Sequence, residues 1–117
     1  MNNQISIEEI TKKLRNIFPQ VAHKYEIVKL KHKFSEVKLI TNSENLRPGN
    51  TISGPSMFEL ADLSFYIAVM ASSELGEKSV TTNVSINFIK TCFYFLYFPF
   101  FHLIWLLQDA SHCFYLL

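Results

Sequence analysis

The segment that most constrains the fold runs from Ser53 to Ala71. Met57, Leu60, Ala61, Ser64, Ala68 and Ala71 make one small, apolar stripe at helical spacing. Phe58, Leu63, Phe65, Ile67, Val69 and Met70 cover most of the remaining circumference. A helix apolar on nearly every side is stable only when other structure wraps it. Its start is well marked. Ser53 is a cap, Gly54-Pro55 makes the first turn, and Ser56 and Glu59 have the spacing of a second capping box. Gly76, just after Leu75, predicts a left-handed stop. Asp62 sits about two turns in, where a charge is costly unless it is paired, hydrogen-bonded or functional.

The elements around this helix are simpler. Ser6-Ile-Glu-Glu9 is a capping box, followed by Ile7, Ile10, Leu14 and Ile17 at helical spacing and by Pro19. This predicts an amphipathic helix over residues 7–17. From Tyr25 to Thr41 the pattern turns to alternation. Val28, Leu30 and Phe34 share one parity and Val37, Leu39 and Thr41 the other, which predicts two strand segments with a turn or bulge at Ser35-Glu36. Asn42 to Gly49 reads as a loop. Val80, Thr82, Val84, Ile86 and Phe88 alternate with Thr81, Asn83, Ser85, Asn87 and Ile89, which predicts a strand over residues 80–90. The order is therefore helix, strands, buried helix, strand.

The composition changes abruptly after Thr91. Ten of the seventeen aromatic residues follow it, and Asp109 is the only charge there. Two readings compete. Thr91 to Gln108 is an uncharged run of eighteen residues, close to a membrane-spanning length, although Pro99 and His102 interrupt it. Alternatively the tail is out of frame or follows a premature truncation near Thr91. The expected organisation is a partial domain over residues 1–91 and an aberrant apolar, aromatic tail over 92–117.

A formal charge of +1 and the absence of a basic block argue against a nucleic-acid partner. Lys29, Lys31 and Lys33 would share one solvated strand face. Cys92, Cys113 and the four histidines follow no metal or disulfide pattern, so neither a metal nor a cofactor is expected. Met1 to Glu9 lacks the basic start and apolar run of a signal peptide, so the default location is cytoplasmic.

The run Arg47-Pro-Gly-Asn50-Thr-Ile-Ser53-Gly54-Pro55-Ser-Met-Phe-Glu-Leu60-Ala61-Asp62 resembles the turn and helix of the PaaI-like thioesterases of the hotdog superfamily. It is closest to a subgroup with Arg-Pro-Gly-x-Thr-x-Ser-Gly-Pro at this turn, and residues 80–88 resemble that subgroup's next strand. The resemblance covers roughly residues 45–91. It implies an α+β hotdog fold, an antiparallel sheet wrapped around a central helix, here incomplete at its C-terminus. It also implies thioester hydrolysis on acyl-CoA, or on acyl-carrier-protein thioesters, in a homodimer or homotetramer with sites at the subunit interface. Asp62 matches the catalytic carboxylate, a general base on water or a nucleophile. Gly54 matches the glycine whose N–H polarises the thioester carbonyl, with Ser53 and Asn50 as substrate-binding residues. Many members carry histidine where Ser53 stands, a second glycine for Pro55 and asparagine for Arg47, departures that the subgroup shares.

The chemistry is reasonable independently of the resemblance. A helix N-terminus offers free N–H groups and partial positive charge to an oxyanion. A carboxylate in a semi-dry site is a better base. From periodicity alone, Asp62 reads as a helix carboxylate satisfied by a neighbouring hydroxyl or backbone group, and the matching turn and strand favour the catalytic role. Glu59 and Tyr66, one turn to either side, read as rim or packing residues, and Asn83 and Asn87 as solvated or interface residues. The competing function is a non-catalytic or membrane-anchored interaction protein that keeps the helix for dimerisation.

Overall fold

A computed structural model of the chain describes residues 6–73 and 76–82, and the backbone of 100–108 and 111–116. The first helix, α1 (Ile7–Ile17), carries the expected box: Ser6 Oγ accepts from the Glu9 N–H at 3.1 Å, and the Ser6 N–H donates to Glu9 Oε2 at 3.0 Å. Ile10 and Leu14 face the core. Pro19 disfavours helical geometry at Phe18, whose φ of −138° ends the helix; a four-residue helix, α2 (Pro19–Ala22), restarts beyond it.

Strands β1 (Tyr25–Lys31) and β2 (Phe34–Ile40) form an antiparallel hairpin. The turn is not at Ser35-Glu36 but at His32-Lys33, where Lys33 takes a left-handed φ of 57°. Ser35 and Glu36 are paired inside β2. The register instead shifts between Ile27 and Lys29, so a bulge at Val28 reverses the parity of β1. Ile27 and Leu30 are buried, and Val28 is exposed. In β2 the inward set is Ser35, Val37 and Leu39. The alternation was legible, but the bulge was not, because one inserted residue moves the following side chains to the other face.

A 3-10 turn (Ser43–Asn45) and a two-residue hairpin, β3 (Leu46–Arg47) and β4 (Thr51–Ile52), lead to the long helix. Gly49 (φ 89°) and Asn50 (φ 55°) turn this hairpin through left-handed conformations that glycine and asparagine tolerate best. The long helix, α3 (Gly54–Met70), lies against β2 and against β5 (Phe100–Gln108). Leu60, Ile67, Ala68 and Ser64 are fully enclosed. The two fully enclosed hydroxyls are satisfied: Ser35 Oγ donates to the Ser64 carbonyl at 2.7 Å, and Ser64 Oγ donates to the Leu60 carbonyl at 2.6 Å.

The helix ends at Met70, with Ala71 as a right-handed cap, and not at Leu75. Gly76 is not a left-handed stop. It starts a second 3-10 turn (Gly76–Lys78), where a Cβ would lie 2.6 Å from the Val69 carbonyl oxygen. Its role is close approach to the helix end. The second capping box is also unused, since Ser53 is the cap and Glu59 reaches elsewhere.

The backbone of β5 pairs antiparallel with β2, Phe34 opposite Leu106, and with β6 (Ser111–Leu116). The sheet order is β1-β2-β5-β6, antiparallel throughout, with α3 packed along it. The strand expected over 80–90 lies outside the described residues from Asn83 onward, and 80–82 have no regular structure. Asn83, Asn87 and residues 91–99 of the Thr91 to Gln108 run likewise lie outside, and the backbone of the remainder forms β5. Among the described residues no helix is long and apolar enough to cross a membrane.

Candidate active site

One face of α3 is not purely apolar. Glu59, Asp62, Leu63 and Tyr66 fall at i, i+3, i+4 and i+7 and form a single stripe. This stripe is one wall of a cavity of about 460 Å³. Ile17, Phe18 and Val21, at the corner between α1 and α2, make a second wall, and Ser79, Val80 and Thr81 a third. Ile17, Phe18 and Val80 are three of the six exposed large apolar side chains among the described residues. Their gathering around one concavity suits an apolar ligand group rather than scattered surface leucines and valines.

Asp62 is half-buried in this cavity. Thr81 Oγ1 donates to Asp62 Oδ1 at 2.7 Å. Of the hydroxyl or backbone partner expected for a helix carboxylate, the structure supplies a hydroxyl, and it leaves Oδ2 for a further donor such as water. The third wall is held in place by α1 and α3. Tyr66 Oη donates to the Glu77 carbonyl at 2.6 Å, and Lys13 Nζ lies 3.0 Å from Glu77 Oε2. Burial, then the Glu77 charge, pushes the Tyr66 phenol up, with Lys13 opposing.

Glu59 is more than a rim residue. Its Oε1 accepts from Tyr25 Oη at 2.7 Å and lies 3.6 Å from Lys24 Nζ. Burial raises the Tyr25 phenol strongly, and the hydrogen bond to Glu59 and the charge of Glu59 raise it further. The spacing of Glu59, Asp62 and Tyr66 was the available signal. Sequence could not show that Tyr25, 34 positions earlier, reaches the same helix face.

The other candidate residues sit at the far end of the helix. Ser53 is spent as a cap: its Oγ accepts from the Ser56 N–H at 3.3 Å and donates to Ser56 Oγ at 2.9 Å. Asn45 Nδ2 completes the knot by donating to Ser56 Oγ at 3.1 Å. The Met57 N–H goes to the Ser53 carbonyl, and Pro55 has no N–H. Among the described residues, the Gly54 N–H is therefore the one donor of the first turn without a partner. A Cβ at Gly54 would meet nothing within 4 Å, so a ligand can approach this backbone. Asn50 is exposed in the β3–β4 turn.

Gly54 and Asp62 are eight residues apart, about 12 Å along the helix axis. Asp62, Glu59, Tyr66 and Thr81 are thus brought together, whereas Asn50, Ser53 and Gly54 form a separate group. Within one chain the two groups cannot both touch one carbonyl. Among the described residues, no cluster of three or more His, Cys, Asp or Glu side chains could hold a metal ion.

An antiparallel sheet packed along one long central helix, with a carboxylate on that helix, defines the hotdog class of thioesterases. A solved "putative thioesterase" from Silicibacter sp. TM1040 is 32% identical to this chain, covering 86% of it and 68% of that structure, with a TM-score of 0.73. Zebra fish thioesterase superfamily member 2 matches 92% of the chain and 78% of that structure at TM-score 0.72 and 14% identity, a likeness of fold. An Archaeoglobus fulgidus protein named "Putative esterase" is 30% identical over 67 residues. That match spans 57% of this chain but only 42% of the length of the relative. No protein-family profile matches the chain. The chain belongs to the hotdog-fold thioesterase superfamily.

Proposed function

We propose that the chain is a PaaI-like acyl-CoA thioesterase whose sites are shared between two copies. The observation that carries this is the placement of Asp62. It lines a cavity of substrate size, fixed by Thr81, on the helix whose first turn has one free, sterically open N–H at Gly54. The 12 Å between these groups along one helix calls for a second copy to supply the missing half, so the working form is a homodimer, or a homotetramer of such pairs.

In this scheme Asp62 takes a proton from a bound water. The water oxygen attacks the thioester carbonyl carbon as the C=O electrons move onto oxygen. The Gly54 N–H of the second copy donates to that oxyanion, supported by the helix dipole. When the oxyanion collapses the C–S bond breaks, and the sulfur leaves with the proton held on Asp62. The products are a carboxylic acid and a free thiol. Asn50 and Ser53, beside Gly54, would contact the substrate near its thioester. Neither metal nor cofactor is needed. Acyl-carrier-protein thioesters share the reacting group and are the alternative substrate, and the cytoplasm is where either would be met. In the same reading, residues 1–91 are a partial hotdog domain and 92–117 an out-of-frame or truncated continuation, tested by translating the other frames across codon 91.

The deciding experiment is a thioester assay with free-thiol detection on wild type and Asp62→Asn. Asparagine still accepts from Thr81 but cannot take a proton, so kcat should fall by about 10²–10⁴-fold with an unchanged circular dichroism spectrum. Turnover that survives the substitution removes Asp62 from the mechanism. Wild-type turnover that Asp62→Asn abolishes rejects the alternative of a non-catalytic interaction protein.

A further inference from the structure

We propose that Glu59 is a specificity residue of this site, selecting acyl groups that carry a hydroxyl over unsubstituted alkyl groups. The inference rests on the thioesterase reading above and concerns a residue that the hydrolytic chemistry does not use. Glu59 and Asp62 lie one turn apart on the same face of α3, with Cβ atoms about 5–6 Å apart. Both line the cavity. Thioester hydrolysis needs one of these carboxylates, so the other has a different task.

The geometry of Glu59 defines that task. Its Oε1 is engaged by Tyr25 Oη at 2.7 Å and Lys24 Nζ at 3.6 Å. Its Oε2 has no partner among the described residues. A carboxylate can accept about four hydrogen bonds, so capacity remains on the free oxygen. The Tyr25 bond joins β1 to α3 and pins the side chain, which makes the free oxygen a fixed acceptor rather than a mobile one. Lys24 already balances the charge, so the site calls for a neutral donor and not for a second cation.

The half-exposed carboxylate is hydrated when the cavity is open. An acyl group entering between Ile17, Phe18, Val21 and Val80 displaces that water. A plain alkyl chain would leave Oε2 desolvated and unpaired, at a cost. A chain bearing a hydroxyl a few bonds from the thioester carbon replaces the lost hydrogen bond, while its hydrocarbon part meets the apolar walls. Sites built to hydrogen-bond a substrate hydroxyl discriminate strongly against analogues lacking it.

The test compares 3-hydroxyacyl-CoA and acyl-CoA thioesters of equal chain length by free-thiol release, on wild type and Glu59→Leu. Wild type should favour the hydroxylated member by about tenfold or more in kcat/KM, the worth of one hydrogen bond to a charged group. Glu59→Leu should bring the ratio close to one, by speeding the unsubstituted substrate, which no longer leaves a carboxylate desolvated, and by slowing the hydroxylated one, whose hydroxyl loses its acceptor. A wild-type ratio near one overturns the assignment. So does an equal loss on both substrates, which would mean that Glu59 binds a group common to both, such as a pantetheine amide, or only props up the fold. If Glu59→Leu does not fold, Glu59→Gln replaces it: a reduced ratio supports the assignment and an unchanged one overturns it. Calorimetric binding of thioether analogues of the same two compounds reads the preference without hydrolysis. A tighter hydroxylated analogue then supports Glu59 even if the catalytic reading fails, and equal affinities reject Glu59 alone.

Discussion

Replacing Gly76 by alanine tests the packing that positions Thr81. The added Cβ would sit 2.6 Å from the Val69 carbonyl oxygen, 2.7 Å from Met70 Cα and 2.8 Å from the Val69 carbonyl carbon, against an ordinary contact of 3.4–4 Å. All three neighbours are backbone atoms of the end of α3, so no side chain can swing aside. Overpacking of this kind costs about 1–3 kcal/mol. With a urea m-value of about 2 kcal/mol/M, the unfolding midpoint should fall by about 0.5–1.5 M at constant m. The shift should also lower thioester turnover, since the 3-10 turn that Gly76 opens leads directly to Thr81 and Asp62. The control is Gly76→Asn. If the glycine were needed for a left-handed conformation, asparagine would be tolerated better than alanine. If the reason is close approach, the larger side chain is at least as harmful. Urea unfolding followed by circular dichroism ranks the three proteins. Asparagine more stable than alanine, or alanine equal to wild type, refutes the argument.

Other outcomes follow from the same contacts. Leu60→Ala empties a fully enclosed position of α3 and should cost about 2–5 kcal/mol in urea unfolding. Ser53→Ala removes the α3 cap and loosens the Ser56–Asn45 knot beside Gly54. A stability loss of about 1 kcal/mol, and a smaller one for Ser53→Gly, is the expected result in the same assay. Tyr25 has its phenol pKa raised from 10.0, chiefly by burial, so the folded state holds this proton more tightly than the unfolded chain. That contribution is intact below pH 10 and is lost as pH rises further, by about 1.4 kcal/mol per pH unit. Stability measured between pH 10 and 12 should therefore fall less steeply in Tyr25→Phe than in wild type.

Much of the candidate site was legible because its signals are local. The Ser53-Gly54-Pro55 turn, the helix behind it and Asp62 depend on capping, on the missing N–H of proline and on 3.6-residue spacing, all of which a short window of sequence contains. The same holds for the capping box of α1 and for the break at Pro19. Readings failed where a distant contact chose between local options. Val28 and Leu30 share a parity in the sequence, but a bulge leaves Val28 exposed and Leu30 buried, and Gly76 is required by the end of α3, 2.6 Å from its missing side chain, rather than by a left-handed turn.

The sequence by itself therefore determined which helix is central, where it starts and that a carboxylate rides on it. These follow from propensity and hydrophobic periodicity, which act over one or two turns. Only the tertiary structure decided which groups meet that carboxylate. Thr81 reaches Asp62 from 19 positions away, and Tyr25 reaches Glu59 from 34. Such pairings are set by how the sheet and the α1–α2 corner pack against α3, and no spacing along the chain encodes them.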